Sequence, residues 1–514
     1  MKKSSNGLGH PAVYGRLNLT IGKLEWPHSK LRSSFAMLVT ILISTLLFSS
    51  CTSSQRSQTA VNRIKLSEYT RSFVKIDTSK IALIGAKVFD GRGTQPKSAQ
   101  TVLIQNGVIL EVGDSEAISV PKGFQKLAMN GKTIIPGIVG THNHMRFPRG
   151  ALFFSSPRLY LASGVTTIQT CGTGHPKEEI AIDSAIKSGK LPGPEIIGSS
   201  PYFTGPEGKA NFIRNTDEQL VRDTISALAK IGVKWIKVYQ RTRPEDLRII
   251  VDEAHKNGLK VTGHLCATTY TEAAHLGIDA IEHGFIHSFD HAEEHVKGTC
   301  SGNRNFRSQL NIDSEEVRQV QSALIHNNVA LSSTPSIFET QAGGAADPRD
   351  LEALAPFYVE AYSERRVRKE KQGADWYFKE IWLTKSLAYD LAFYTAGGIL
   401  TAGPDPGLHN LPGYGDQKNY ELFIEGGFTP AQAIQVMTFN GAKSLGLADE
   451  IGSIEKGKKA NLVLLDGDLE KMPSVIRKVD IVFKEGIGFD PQKMIRSVRG
   501  LVGSEMDEQL FLGK

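Results

Sequence analysis

The sequence predicts an α/β protein: a (β/α)8 barrel of parallel strands carrying a small β-sandwich built from both chain ends. Three observations lead there. Short apolar strand-like runs alternate with amphipathic helical patterns across residues 133–445. β-rich stretches punctuated by Gly and Asn-Gly flank that region on both sides. Finally, single polar residues interrupt the ends of successive apolar strands, where barrel enzymes place reactive groups.

At 514 residues, with 40% hydrophobic and 22% charged residues, the chain is globular and large enough for a main domain with a satellite. The formal charge of +6 sits mostly at the start, where Lys2, Lys3, Arg16, Lys23, Lys30 and Arg32 face only Glu25 within residues 1–50. The remainder is near neutral, so no nucleic-acid partner is expected. The apolar run Phe35 to Phe48 follows these basic residues and is short for a membrane span. It ends in Ser49-Ser50-Cys51, and residues 1–50 therefore read as a signal peptide. Leu47 to Cys51 resembles a bacterial lipobox, which implies lipidation of Cys51. The expected location is the cell envelope, with the protein lipid-anchored in the outer membrane, as Thr52 implies, or held in the periplasm. Ordinary cleaved secretion and an uncleaved anchor are the alternatives.

Residues 51–78 are polar and form a tether. Residues 79–132 carry alternating strands (IALIGAKVFD, TVLIQNGVILEVG) and form the first part of the sandwich. NLVLLD and VDIVFK within 446–514 supply the second part, followed by a tail. Between them, strands are expected at 133–144, 164–171, 194–199, 233–240, 259–266, 278–283, 329–335 and 398–405. Helical periods fill the gaps at 217–232 and 244–258, and Thr429-Pro430 opens a further helix. An open doubly wound sheet is the competing architecture, but it would want a glycine-rich phosphate loop after the first strand, and none is present. Two insertions stand out. Residues 287–312 carry His287, His291 and His295 at four-residue spacing, read as a solvated helix face or a second metal site. Residues 344–392 are charged and aromatic, and read as a helical arm or lid. Of the cysteines beyond Cys51, Cys171 and Cys266 read as small buried residues at strand ends; with Cys300 they permit one bridge.

The chemistry is carried by the strand ends. His142 and His144 are two apart, so strand alternation points both imidazoles one way. Later strands contribute Lys237, His264, His283 and Asp405. Each would be costly to bury alone, and a shared metal centre would compensate all of them. The blocks PGIVGTHNHM, GVTTIQT, WIKVY, GLKVTGHL, GIDAIEHG and TAGPDPG, and the tail TPAQAIQVMTFNGAKSLGLADEIGSIEKGKKANLVLLD, resemble the metal-dependent amidohydrolase superfamily in its own order. The nearest likeness is to its imidazolonepropionase-related and prolidase-like branch. Asn461 stands where that family usually has Asp, away from the site.

The resemblance implies a metal-dependent hydrolase of C–N bonds in a small amide, dipeptide or cyclic amide. His142, His144 and Asp405 would hold one divalent ion, and His264 and His283 a second. Lys237, as a carbamate made with carbon dioxide, would bridge them. Zinc is the expected ion, with manganese, cobalt and iron as alternatives. Asp405 would take a proton from the attacking water and pass it to the leaving nitrogen. Arg146 and Tyr239 are the expected substrate-binding residues, the first for a substrate carboxylate. A homo-oligomer is compatible with the sequence. Two other functions stay open: a mononuclear deaminase or cyclic-imide hydrolase, and a catalytically silent envelope lipoprotein that binds metal or ligand.

Overall fold

The computed structural model describes residues 64–147, 150–151, 154–302, 304–373, 378–407 and 410–504, with backbone alone at 146, 147, 150 and 151. The expected signal peptide, Cys51 and most of the tether lie outside these residues. Among the described residues no helix is long and apolar enough to cross a membrane.

The two ends of the chain meet in one nine-stranded sheet. Its order runs Val74–Ile76, Ile487–Phe489, Val479–Lys484, Leu462–Leu465, Thr133–Pro136, Lys80–Val88, Lys97–Gln105 and Val108–Asp114, and Gln125–Ala128 also pairs with Lys80–Val88. Alternating residues Ile81, Leu83, Val102, Ile104, Leu462, Leu464 and Phe483 pack a core of their own. The Asn106-Gly107 turn adopts the left-handed conformation at both positions, as a two-residue hairpin between right-twisted strands demands. The β unit expected as a sandwich is thus one continuous sheet shared by both termini.

The run expected as a single strand over 133–144 is two. Thr133–Pro136 pairs antiparallel with Leu462–Leu465, whereas β1 (Ile138–Asn143) pairs parallel with β2 (Val165–Thr170). Pro136 has no N–H to extend the first ladder, and Gly137 is the residue at which the chain passes from one sheet to the other.

From β1 the barrel proceeds through β2, β3 (Glu195–Ile197 continuing as Ser199–Thr204), β4 (Trp235–Val238), β5 (Lys260–Gly263), β6 (Ala280–Glu282), β7 (Ala330–Ser333) and β8 (Leu400–Ala402). Every consecutive pair is parallel. β3 changes partner at its break, its first half on β2 and its second on β4. The circle closes where the Thr141 hydroxyl donates to Ala402 O and Asp405 N–H donates to His142 O at 3.0 Å. Gly403 is required at that seam, since a Cβ there would lie 2.3 Å from the His142 backbone nitrogen. The expected helices form: Val221, Ile225 and Leu228 of Glu218–Lys230 are buried as the apolar period requires, with Asp217 as its cap, and Thr429 caps Pro430–Met437 as expected.

Two expectations about the insertion at 287–312 are corrected. Cys266 is not a lone buried thiol but is disulfide-bonded to Cys300, while Cys171 is free and buried. The histidine stripe is not a helix face. His287 ends a short 3-10 turn, Gly284–His287, and the chain then runs through turns to the four-residue helix Phe306–Gln309.

Candidate active site

The carboxyl ends of the barrel strands surround a cavity of about 950 Å³. His142 and His144 from the end of β1, Lys237 from β4, His264 after β5, His283 after β6 and Asp405 after β8 all line it, as does Tyr239. Asp405 is the hub. Its Oδ1 lies 3.2 Å from His144 Nε2 and 3.5 Å from His142 Nε2, and its Oδ2 lies 3.9 Å from His283 Nδ1. A four-coordinate ion with bonds of about 2.1 Å spaces its ligand atoms about 3.4 Å apart. The Asp405 carboxylate therefore stands from the His142 and His144 nitrogens at the separations that one shared cation would set.

Burial holds the imidazoles of His142, His264 and His283 below their usual range, His142 at about 4, so they are neutral and carry free lone pairs. Burial also works to raise the Asp405 carboxyl, but the imidazoles around it, His142 foremost, outweigh this and hold it well below the usual carboxylate range. Neutral imidazoles around an ionised carboxylate are the protonation states in which such groups ligate divalent metals.

Two of these residues sit in left-handed backbone: His283 at φ 68° and Asp405 at φ 45°. Neither is glycine, so each costs of order 1–3 kcal/mol, the kind of strain that clusters at functional sites. At His283 the turn ends strand alternation, so His283 lines the cavity while Glu282 lies buried in the barrel beside Lys237. Glu282 is fully buried, accepts a hydrogen bond from the Thr262 hydroxyl at 2.9 Å and forms an ion pair with Lys237. Burial pulls the Lys237 ammonium down to about 8.

Supporting bonds orient the rings. Gln240 Nε2 lies 2.8 Å from His264 Nε2, and Thr334 Oγ1 lies 3.0 Å from His283 Nδ1, each occupying one ring nitrogen and leaving the other. The Tyr239 ring packs 4.8 Å from that of His264. Arg146 lies in the two-residue strand Arg146–Phe147, and its side chain lies outside the described residues.

The sequence reasoning missed Glu282 and Arg304. Glu282 was hidden by its neighbour, because alternation predicts that adjacent residues face opposite ways. His287 was singled out, but only within a four-residue repeat read as a helix face or a separate second metal site, not as a residue of this cavity. Arg304 lines the cavity from the disulfide-tied insertion and has no acidic partner among the described residues. From the second insertion Phe378 and Trp382 complete an aromatic wall with Phe338.

The amidohydrolase family model matches residues 133–300 and 417–488. The chain is similar to an enamidase of Eubacterium barkeri, 25% identical over 33% of this chain and 45% of that protein, so this match spans less than half of the relative's length. It is also similar to an imidazolonepropionase of Clostridium tetani, 22% identical over 75% of this chain and 89% of the other. Among solved structures it resembles a Xaa-Pro dipeptidase with bound methionine in the active site, with a TM-score of 0.59, 20% identity, and coverage of 80% of this chain and 100% of that one. At that identity the likeness establishes the barrel fold.

Proposed function

We infer, from a chain that belongs to the amidohydrolase superfamily, that the protein is a metal-dependent hydrolase of C–N bonds in small amides, dipeptides or cyclic amides. The observation that carries this is the Asp405 carboxylate held within 3.9 Å of three imidazoles at the barrel mouth. His142, His144 and Asp405 would hold one divalent ion, and His264 and His283 the second. Such ions, zinc foremost, supply a Lewis acid and water activated near neutral pH.

The chain's own groups do the rest. Asp405, ionised and placed between the imidazoles, accepts the proton of the attacking water at a carboxylate oxygen and returns it to the leaving nitrogen. Lys237 has an ammonium weakened by burial, so an appreciable fraction is neutral amine near pH 8, the form that adds carbon dioxide. Carboxylated there, Lys237 would offer anionic oxygens to the metal site in place of a cation. Tyr239 stands beside His264, where a hydroxyl can donate to the substrate carbonyl as it gains charge. Arg304, with its guanidinium facing the cavity, favours a substrate carrying a carboxylate, a role that Arg146 would share. Dipeptides and N-acyl amino acids meet that requirement, and the Xaa-Pro dipeptidase likeness is in keeping with them. The Cys266–Cys300 disulfide suits an oxidising compartment and so supports export, with Cys51 as the lipid anchor.

The test is a screen of N-acyl amino acids, dipeptides and cyclic amides with zinc- or manganese-loaded protein. Turnover of at least one class, abolished by a chelator and restored by metal, is expected. Turnover that survives complete metal removal would overturn the proposal. One tightly bound ion with unmodified Lys237 would favour the mononuclear deaminase or cyclic-imide hydrolase instead.

A further inference from the structure

We propose that His287 is a third imidazole ligand of the second metal ion, completing a His264–His283–His287 site whose occupancy does not depend on carboxylation of Lys237. The inference rests on the metal-dependent function just proposed and adds to it a residue and a consequence that the family pattern does not supply.

Geometry carries it. The His287 ring centroid lies 4.0 Å from that of His264 and 5.0 Å from that of His283, and the latter two are 4.5 Å apart. One ring nitrogen from each of the three lies within 4.8 Å of the others. Nitrogens around a four-coordinate ion are about 3.4 Å apart, so small ring rotations bring these three onto one cation. His287 is buried, and its Nδ1 has no hydrogen-bond partner among the described residues. A buried ring nitrogen without a partner is unfavourable, and a coordinated cation would offset that cost.

The local chain is built to deliver the side chain there. The left-handed turn at His283 sends the backbone into the 3-10 turn Gly284–His287, which carries His287 back over the ring of His283. The Tyr270 hydroxyl donates to Gly284 O at 2.6 Å at the start of the turn. Arg307, fully buried, donates to Ser288 O at 2.8 Å immediately after it. Both ends of the turn are thereby anchored, and His287 is positioned by the fold and not by chance packing.

The consequence concerns Lys237. A second ion held only by His264 and His283 would need the carbamate as its remaining protein ligand. Lys237 as an uncarboxylated ammonium is paired instead with Glu282. A third imidazole supplies what the carbamate would otherwise have to supply, so the ion can bind while that ion pair persists.

Metal-free protein titrated with cobalt(II) in buffer stripped of carbon dioxide decides this, read by calorimetry and by the visible cobalt spectrum. The native chain is expected to take up two ions per chain, while His287→Gln should weaken the second about 100-fold and leave the first unchanged. In His287→Cys, cobalt should produce a near-ultraviolet thiolate-to-cobalt band that the native chain lacks. Circular dichroism of the metal-free variants checks their fold, and the cysteine band reads direct contact even where affinity has changed for other reasons. Identical titrations for the native chain and His287→Gln, a second ion that binds only when bicarbonate is added, or a folded His287→Cys without the band would each overturn the proposal. Metal binding as expected in a protein that hydrolyses nothing would instead remove the proposed function and leave the site standing.

Discussion

Asp405 is the side chain on which most of the site's electrostatics converge. Its carboxylate is stabilised by the imidazoles around it, and its left-handed backbone points it at them. Asp405→Asn keeps the shape and loses both a charged ligand oxygen and the proton acceptor. Turnover is expected to fall about 10²–10⁴-fold, the range of general acid–base catalysis, with the unfolding midpoint of the metal-free protein little changed. A variant of native activity would remove Asp405 from the proton path. Arg304 belongs to the same scale but acts on the substrate. A charge-assisted bond is worth about 1.5–3 kcal/mol, so Arg304→Ala should raise KM about 10–100-fold for substrates bearing a carboxylate. Neutral amides of similar size should be unaffected, and an equal loss for both would show that Arg304 serves the loop and not the ligand.

Elements decide how those side chains are held. The segment carrying Arg304 has little regular structure of its own, and the Cys266–Cys300 disulfide ties it to the chain two residues beyond His264. Closing a loop of 34 residues stabilises a fold by about 2–4 kcal/mol. Cys300→Ser should therefore lower stability towards urea by that order and raise KM, while cobalt stoichiometry stays native because no ligand has been removed. Unchanged urea stability would mean that the insertion is held by Arg307 and Trp382 without the bond. Barrel strands such as Trp235–Val238 and Ala280–Glu282 were readable because they are short, mostly apolar runs that lie between helical patterns. The strand over 133–144 was misjudged because hydrophobicity alone cannot say which of two sheets a run will join. Only pairing with Leu462–Leu465, more than 300 residues away, splits it.

Across the whole molecule, three buried carboxyls outside the candidate ligand set shape the response to pH. Burial pushes Asp350 and Asp390 up to about 7 and Asp416 up to about 8. In the unfolded chain they titrate near 3.8. Their folded values lie above the unfolded ones, so their contribution is complete below about pH 4 and is lost as pH rises through 7–8. Asp390→Asn removes one such group, and relative to the native chain it should gain roughly 1.4 kcal/mol per pH unit between pH 5 and 7. Chemical denaturation at both pH values measures this, and a constant difference would show that Asp390 is ionised in the fold. The order of the barrel strands and the polar residue at each strand end followed from the sequence, since period, spacing and residue type are local properties, whereas the ligand set was what the family resemblance implied. Cavity closure, the partnership of Lys237 with Glu282, the arrival of His287 beside His264 and the disulfide were decided only by tertiary structure. Each depends on a backbone reversal or a long-range pairing that brings distant residues within bonding distance, and local pattern holds no record of either.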